Sequence, residues 1–164
     1  MTKSLFLLII MALFGTSSGA PNGDNSDFFL KVQKSVEQKE SSNWKVVKSR
    51  IPKNGNVCFF ELTSGTSEVG VLIFLRSSQE EAAATLSEFP NFLGLITSGA
   101  KLSGVGDENY VWQSSYNRNV GVDFRRGKVA VHVASGSIHI ARVFAQHIAA
   151  AIDAAEQALG ADSP

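Results

Sequence analysis

Cysteine is nearly absent. Cys58 is the one thiol among 164 residues, so no internal disulfide can form. In an exported protein a lone cysteine is either buried and inert or an intermolecular link. Cys58 lies in the apolar run VCFFEL (57–62) and reads as buried, since a free thiol packs as a small hydrophobe. Net charge is also missing. Basic and acidic residues each number 15, and no basic block stands out, which argues against nucleic acid and against an anionic membrane surface as partners. No apolar run is long enough to span a bilayer, which takes about 20 residues. Catalytic signatures are lacking as well. GTSEVG (65–70) and SSGA (17–20) are not nucleophile elbows. Of the histidines, His139 and His147 sit eight apart on a helical pattern, about 80° out of line, with no partner at the four-residue spacing of helical zinc sites. No cofactor and no metal is implied.

The N-terminus carries an export signal. Lys3 supplies the positive start, Leu5 to Phe14 is unbroken and apolar, and Ser17 to Ala20 are small residues suited to cleavage after Gly19 or Ala20. The expected organisation is a signal peptide over 1–20, a tether over 21–26 and one domain over 27–160, secreted or periplasmic, with no stable membrane span. The roughly 145 remaining residues suffice for a core without covalent staples.

The chain then reads in order. Phe29, Val32 and Val36 form one apolar stripe of a helix capped by Asp24 or Ser26 and running to about Glu40. Strands follow over 44–51, 57–62 and 68–76, with an Asn54-Gly55 hairpin turn and a loop around Gly65. VGVLIFL (69–75) is apolar on both faces and belongs at the centre of a sheet. Ser78 and Glu81 form a capping box for a helix that should stop before Pro90. Residues 91–106 look irregular, with a short extended piece at 100–103. The final helix, capped by Ser135 or Ser137, carries the stripe Ala141, Phe144, Ala145, Ile148, Ile152, Ala155 and Leu159, and should end at Gly160.

Between them lies ENYVWQSSYNRNVGVDFRRGKVAVHVA (108–134), which alternates as three antiparallel strands. Val120, Val122 and Phe124 share a face, as do Val129, Val131 and Val133. A two-residue loop at Arg126-Gly127 keeps both sets together and pairs Arg125 with Lys128. A three-residue loop with a bulge at Gly127 splits them. Exposing three valines at about 1.5–3 kcal/mol each outweighs one like-charge pair, so the first register is expected. With a turn at Asn117-Arg118, Trp112 would face Asp123, Tyr110 would face Arg125 and His132 would face Gly121. The opposite side of the sheet then gathers Tyr110, Trp112, Tyr116, Asp123, Arg125, Lys128 and His132. Residues 44–89 and 108–159 repeat the same order of elements. The class is α+β, an antiparallel or mixed sheet of about six strands with three helices in the order α-βββ-α-βββ-α.

GVGDENYVW (104–112), the strand after it, FRRGKVAVHV (124–133) and the covering helix resemble the C-terminal half of a broad group of bacterial extracytoplasmic proteins. The group includes small secreted proteins and lipoproteins of unassigned role and the extracellular sensor domains of receptor Ser/Thr kinases. The resemblance implies a doubled β–α–β arrangement and a place outside the cytoplasm. The lipidation cysteine and the disulfide pairs of the kinase sensors are missing here.

GxGD at 104–107 precedes a strand rather than a helix, so it reads as a tight lead-in turn and not as a phosphate cradle. Asp107 and Glu108 point apart on an extended chain, which argues against an acid–base pair. Tyr110, Trp112, Asp123, Arg125, Lys128 and His132 are the candidate ligand-binding set, offering stacking, cation–π and anion contacts on rigid strands. The competing reading is plain packing beneath the first helix or the 91–106 loop. The leading function is a non-enzymatic ligand-binding or sensing module for an unknown small ligand or protein partner. A structural or protein-interaction module is the alternative. A hydrolase ranks third, resting on His132 and Asp123 alone.

Overall fold

The computed structural model describes residues 25–40, 43–53 and 55–161. The expected leader, most of the tether and Asn54 of the expected hairpin turn lie outside the described residues. The elements are α1 (Ser26–Lys39), β1 (Lys45–Arg50), β2 (Val57–Ser64), β3 (Ser67–Leu75), α2 (Gln79–Leu93), β4 (Leu95–Ser98), β5 (Glu108–Ser114), β6 (Val120–Arg126), β7 (Val129–Ser135) and α3 (Ile138–Ala161). All strands join one antiparallel sheet in the order β1-β2-β3-β7-β6-β5-β4. The α+β class and the expected order hold, with β4 as a seventh strand.

That seventh strand follows from how α2 ends. The helix does not stop at Pro90; it continues through it to Leu93. Proline has no N–H to give the carbonyl one turn back. Here the Tyr110 hydroxyl donates to that carbonyl, Leu86 O, at 2.8 Å. Gly94 then closes the helix with φ 61°, its N–H donating to Pro90 O. β4 begins at the next residue, Leu95, rather than at 100–103. At the other end Ser78 Oγ accepts from Glu81 N–H at 3.2 Å, while the Glu81 carboxylate reaches Ser77 instead of closing the box on Ser78.

The sheet separates two apolar layers. Phe28, Phe29, Val32 and Val36 of α1 and Ala141, Phe144, Ala145, Ile148, Ile152 and Ala155 of α3 cover Phe60, Leu62, Val69, Val71, Ile73, Val122, Phe124, Val131 and Val133 on one face. Ala82, Leu86 and Phe89 of α2 cover Phe59, Leu72, Phe74 and Ala130 on the other. β3 is therefore apolar on both sides, as a central strand must be. The two halves of the chain repeat their order of elements, yet α2 and α3 lie on opposite faces, so the repeat is one of order and not of space. α1 begins after Asn25, whose amide donates to Gly55 O at 3.3 Å instead of capping the helix. α3 runs through Gly160, where a stop was expected; the Leu159 side chain lies outside the described residues. Among the described residues no helix is long and apolar enough to cross a membrane.

The meander keeps the expected faces and shifts the expected partners. β6 and β7 are joined at Gly127-Lys128, with Arg126 opposite Val129 and Gly127 at φ 53°. The shift of two residues preserves the shared valine face, because side chains alternate with period two. It replaces the Arg125–Lys128 pair by Arg125 opposite Ala130, which removes a like-charge cost. It also sets His132 opposite Asp123, not Gly121. β5 and β6 are joined by a longer loop than Asn117-Arg118 alone, closed by Ser114 N–H donating to Asn119 O at 2.8 Å. Trp112 consequently faces Gly121 and Tyr110 faces Asp123.

Candidate functional site

Of the candidate set, the fold brings together Tyr110, Trp112, Asp123 and His132. They lie on adjacent rungs of β5, β6 and β7, on the face that α2 covers. Gly121 makes the cluster possible: a Cβ there would come within 2.4 Å of Trp112 Cζ2 and 1.9 Å of Val133 O. A glycine inside a strand marks this sort of close approach. Without that Cβ the indole lies flat across the strand and stacks on His132, with ring centroids 4.8 Å apart and planes 9° from parallel. Phe89 of α2 meets the same imidazole edge-on at 5.9 Å.

Asp123 Oδ1 accepts from Trp112 Nε1 and contacts His132 Nδ1, both at 2.7 Å. A carboxylate only accepts, so the proton of this contact sits on Nδ1. Asp123, Trp112 and His132 are 0 %, 2 % and 3 % exposed, and among the described residues no donor meets the hydrogen-bond geometry at the enclosed Asp123 Oδ2. Burial, followed by the nearby Asp123 charge, pushes the Tyr110 hydroxyl well above its ordinary pKa, which keeps it a neutral donor to Leu86 O. His132 and Asp123 thus meet the distance requirement of an acid–base pair. They do not meet the access requirement, since the imidazole is held between Trp112 and Phe89. The cover is α2, not the first helix or the 91–106 loop.

Arg125 belongs to a different network. It donates to Asp107 Oδ2 at 3.2 Å, to Gly127 O at 3.0 Å and to Glu108 Oε1 at 3.1 Å. Asp107 also accepts from Gly127 N–H at 2.9 Å and from Arg126, which in turn grips Asp153 of α3. The GxGD loop is the clasp of this arrangement. Gly106 has φ 61°, a Cβ on it would meet Arg125 O at 2.3 Å, and Asp107 N–H donates to that same oxygen at 2.7 Å. Lys128 is exposed in the β6–β7 turn, off the sheet face, and Tyr116 is exposed in the loop against Gly94. Neither joins the cluster.

The same sheet face continues beyond α2 into a cleft of about 370 Å³. Its floor is Gly70 and Ala134, on the rung next to Leu72 and His132. Glu61, Glu68, Ser135 and Ser137 bring polar groups around it. Glu61 is paired with Lys48 at 3.0 Å, and Ser135 Oγ donates to Glu68 O at 2.9 Å. Sequence reasoning passed over these residues. The available signal was a pair of small residues, Gly70 and Ala134, interrupting otherwise bulky strands. Among the described residues no group of three or more His, Cys, Asp or Glu could hold a metal ion. Comparison with family models, with curated proteins and with solved structures finds no match for the chain.

Proposed function

We propose that the protein is a non-enzymatic binding or sensing module, working outside the cytoplasm after export, and that its ligand is a small polar solute held in the cleft over Gly70 and Ala134. The observation that carries this reading is the cleft itself. It is concave, of a volume suited to a small molecule, and its floor is rigid β-sheet. The buried cluster supports it from one rung away. Ala134 pairs with Gly121, and Trp112 lies over Gly121, so the indole sits about one strand spacing, ~5 Å, from the cleft floor. The leader sequence and the likeness to extracytoplasmic sensor domains point to the same compartment and role.

The test is a fluorescence titration. Trp44, packed on Phe144 at 4.9 Å, is replaced by Phe so that Trp112 reports alone. Amino acids, sugars, polyamines and small organic acids are then added in turn. A saturable change with one class, lost in Ala134→Leu, which fills the floor, is the expected result. A flat response across all classes removes the proposal.

A further inference from the structure

The two edges of the sheet are built differently. β1 carries Lys45, Lys48 and Arg50, its pairing slips between Val46 and Lys48, and Pro52 follows it. Lysines, bulges and prolines are the means by which an edge strand is kept from pairing with another chain. β4 has no lysine, bulge or proline, and its four-residue length is its one protection. Leu95–Ser98 pairs with β5 without a slip, and the whole stretch FLGLITSGA (92–100) is uncharged. Ile96 is 53 % exposed, and Phe92 is exposed just before it.

We propose that β4 is a self-association edge, pairing antiparallel with β4 of a second copy about a two-fold axis and joining two seven-stranded sheets into one. A row of free N–H and C=O groups takes only another extended strand, which narrows the occupant to a β segment. A different partner selected by charge would be matched by charges along the edge, and this edge has none. A neutral strand set against its own copy places no like charges across the axis. The antiparallel geometry that a two-fold pair requires is also that of every strand pair already in the sheet. Four residues of strand make a contact smaller than the ~1,200 Å² of stable interfaces. The dimer is therefore weak and reversible, with Ile96 and Phe92 adding apolar contact to the backbone bonds.

Sedimentation equilibrium of the purified chain from micromolar to millimolar concentration tests this. The average mass should climb toward twice the monomer. Ile96→Lys should hold it at the monomer, while Val47→Lys, an equally exposed site on the opposite edge, should behave as wild type. A wild-type monomer throughout, or a dimer that Ile96→Lys leaves intact, overturns the proposal. Should Ile96→Lys fail to fold by circular dichroism, Leu95→Cys, Ile96→Cys, Thr97→Cys and Ser98→Cys, made one at a time, decide instead. Mild oxidation should trap a covalent dimer at the position on the two-fold axis, and its absence at all four refutes the pairing.

Discussion

Tyr110→Phe removes one oxygen, and the structure says what that oxygen does. The Leu86 carbonyl would normally accept from the N–H four residues on. That residue is Pro90, so the Tyr110 hydroxyl accounts for it at 2.8 Å. Leaving a part-buried carbonyl unpaired costs about 1–2 kcal/mol. The substitution should lower the unfolding free energy by that amount, read by equilibrium urea denaturation. The informative measurement is the same substitution in a Pro90→Ala background. There the new N–H at position 90 can donate to Leu86 O, so Tyr110→Phe should cost less than about 0.5 kcal/mol. The two changes are therefore coupled by roughly 1 kcal/mol. Equal costs in the two backgrounds, within about 0.3 kcal/mol, would show that Tyr110 does not stand in for the missing helix bond.

Asp123→Ala removes the shared acceptor of Trp112 Nε1–H and His132 Nδ1–H in a site closed to water, a cost of at least about 1–3 kcal/mol for the indole donor; Asp123→Asn keeps an accepting oxygen and should cost less by the same denaturation assay. Glu156 lies near Gly127, and burial, then the Asp153 charge, raises its pKa. A carboxyl raised in the folded state favours folding at low pH and loses that contribution as pH rises through its folded value. Glu156→Gln should therefore match wild-type thermal stability at pH ~3 and below, where the carboxyl is protonated in both states, and exceed it at neutral pH. Equal melting curves at both pH values would contradict this. Burial raises the Cys58 thiol far above its ordinary pKa, so a thiol reagent should label it only after denaturation; rapid native labelling would contradict the packing of β2.

Period-two alternation made the faces of the meander legible: Val122 and Val131 do share a side, and so do Trp112 and Asp123. Alternation reports parity, however, and a register two residues away has the same parity. Which loop closes the hairpin decides the partners: a loop at Arg126-Gly127 sets His132 against Gly121, whereas the loop at Gly127-Lys128 sets it against Asp123. The cover over the cluster was not legible either, because strand periodicity says that a face is hidden and not by what. The general rule for prolines makes Pro90 a stop. The residue that lets the helix continue, Tyr110, lies far along the chain, and no local pattern announces it. Missing that continuation also hid β4, which starts directly after Gly94.

The sheet also has a history written into its order. Every neighbouring pair of strands is consecutive along the chain except β3 with β7. Each side can therefore zip up from nearby residues, paying little loop-closure entropy, and one seam between distant strands joins them. Assembly of that seam is the slow step that topology predicts. A chain cut at Ser77, between β3 and α2, should yield two pieces that find each other along it.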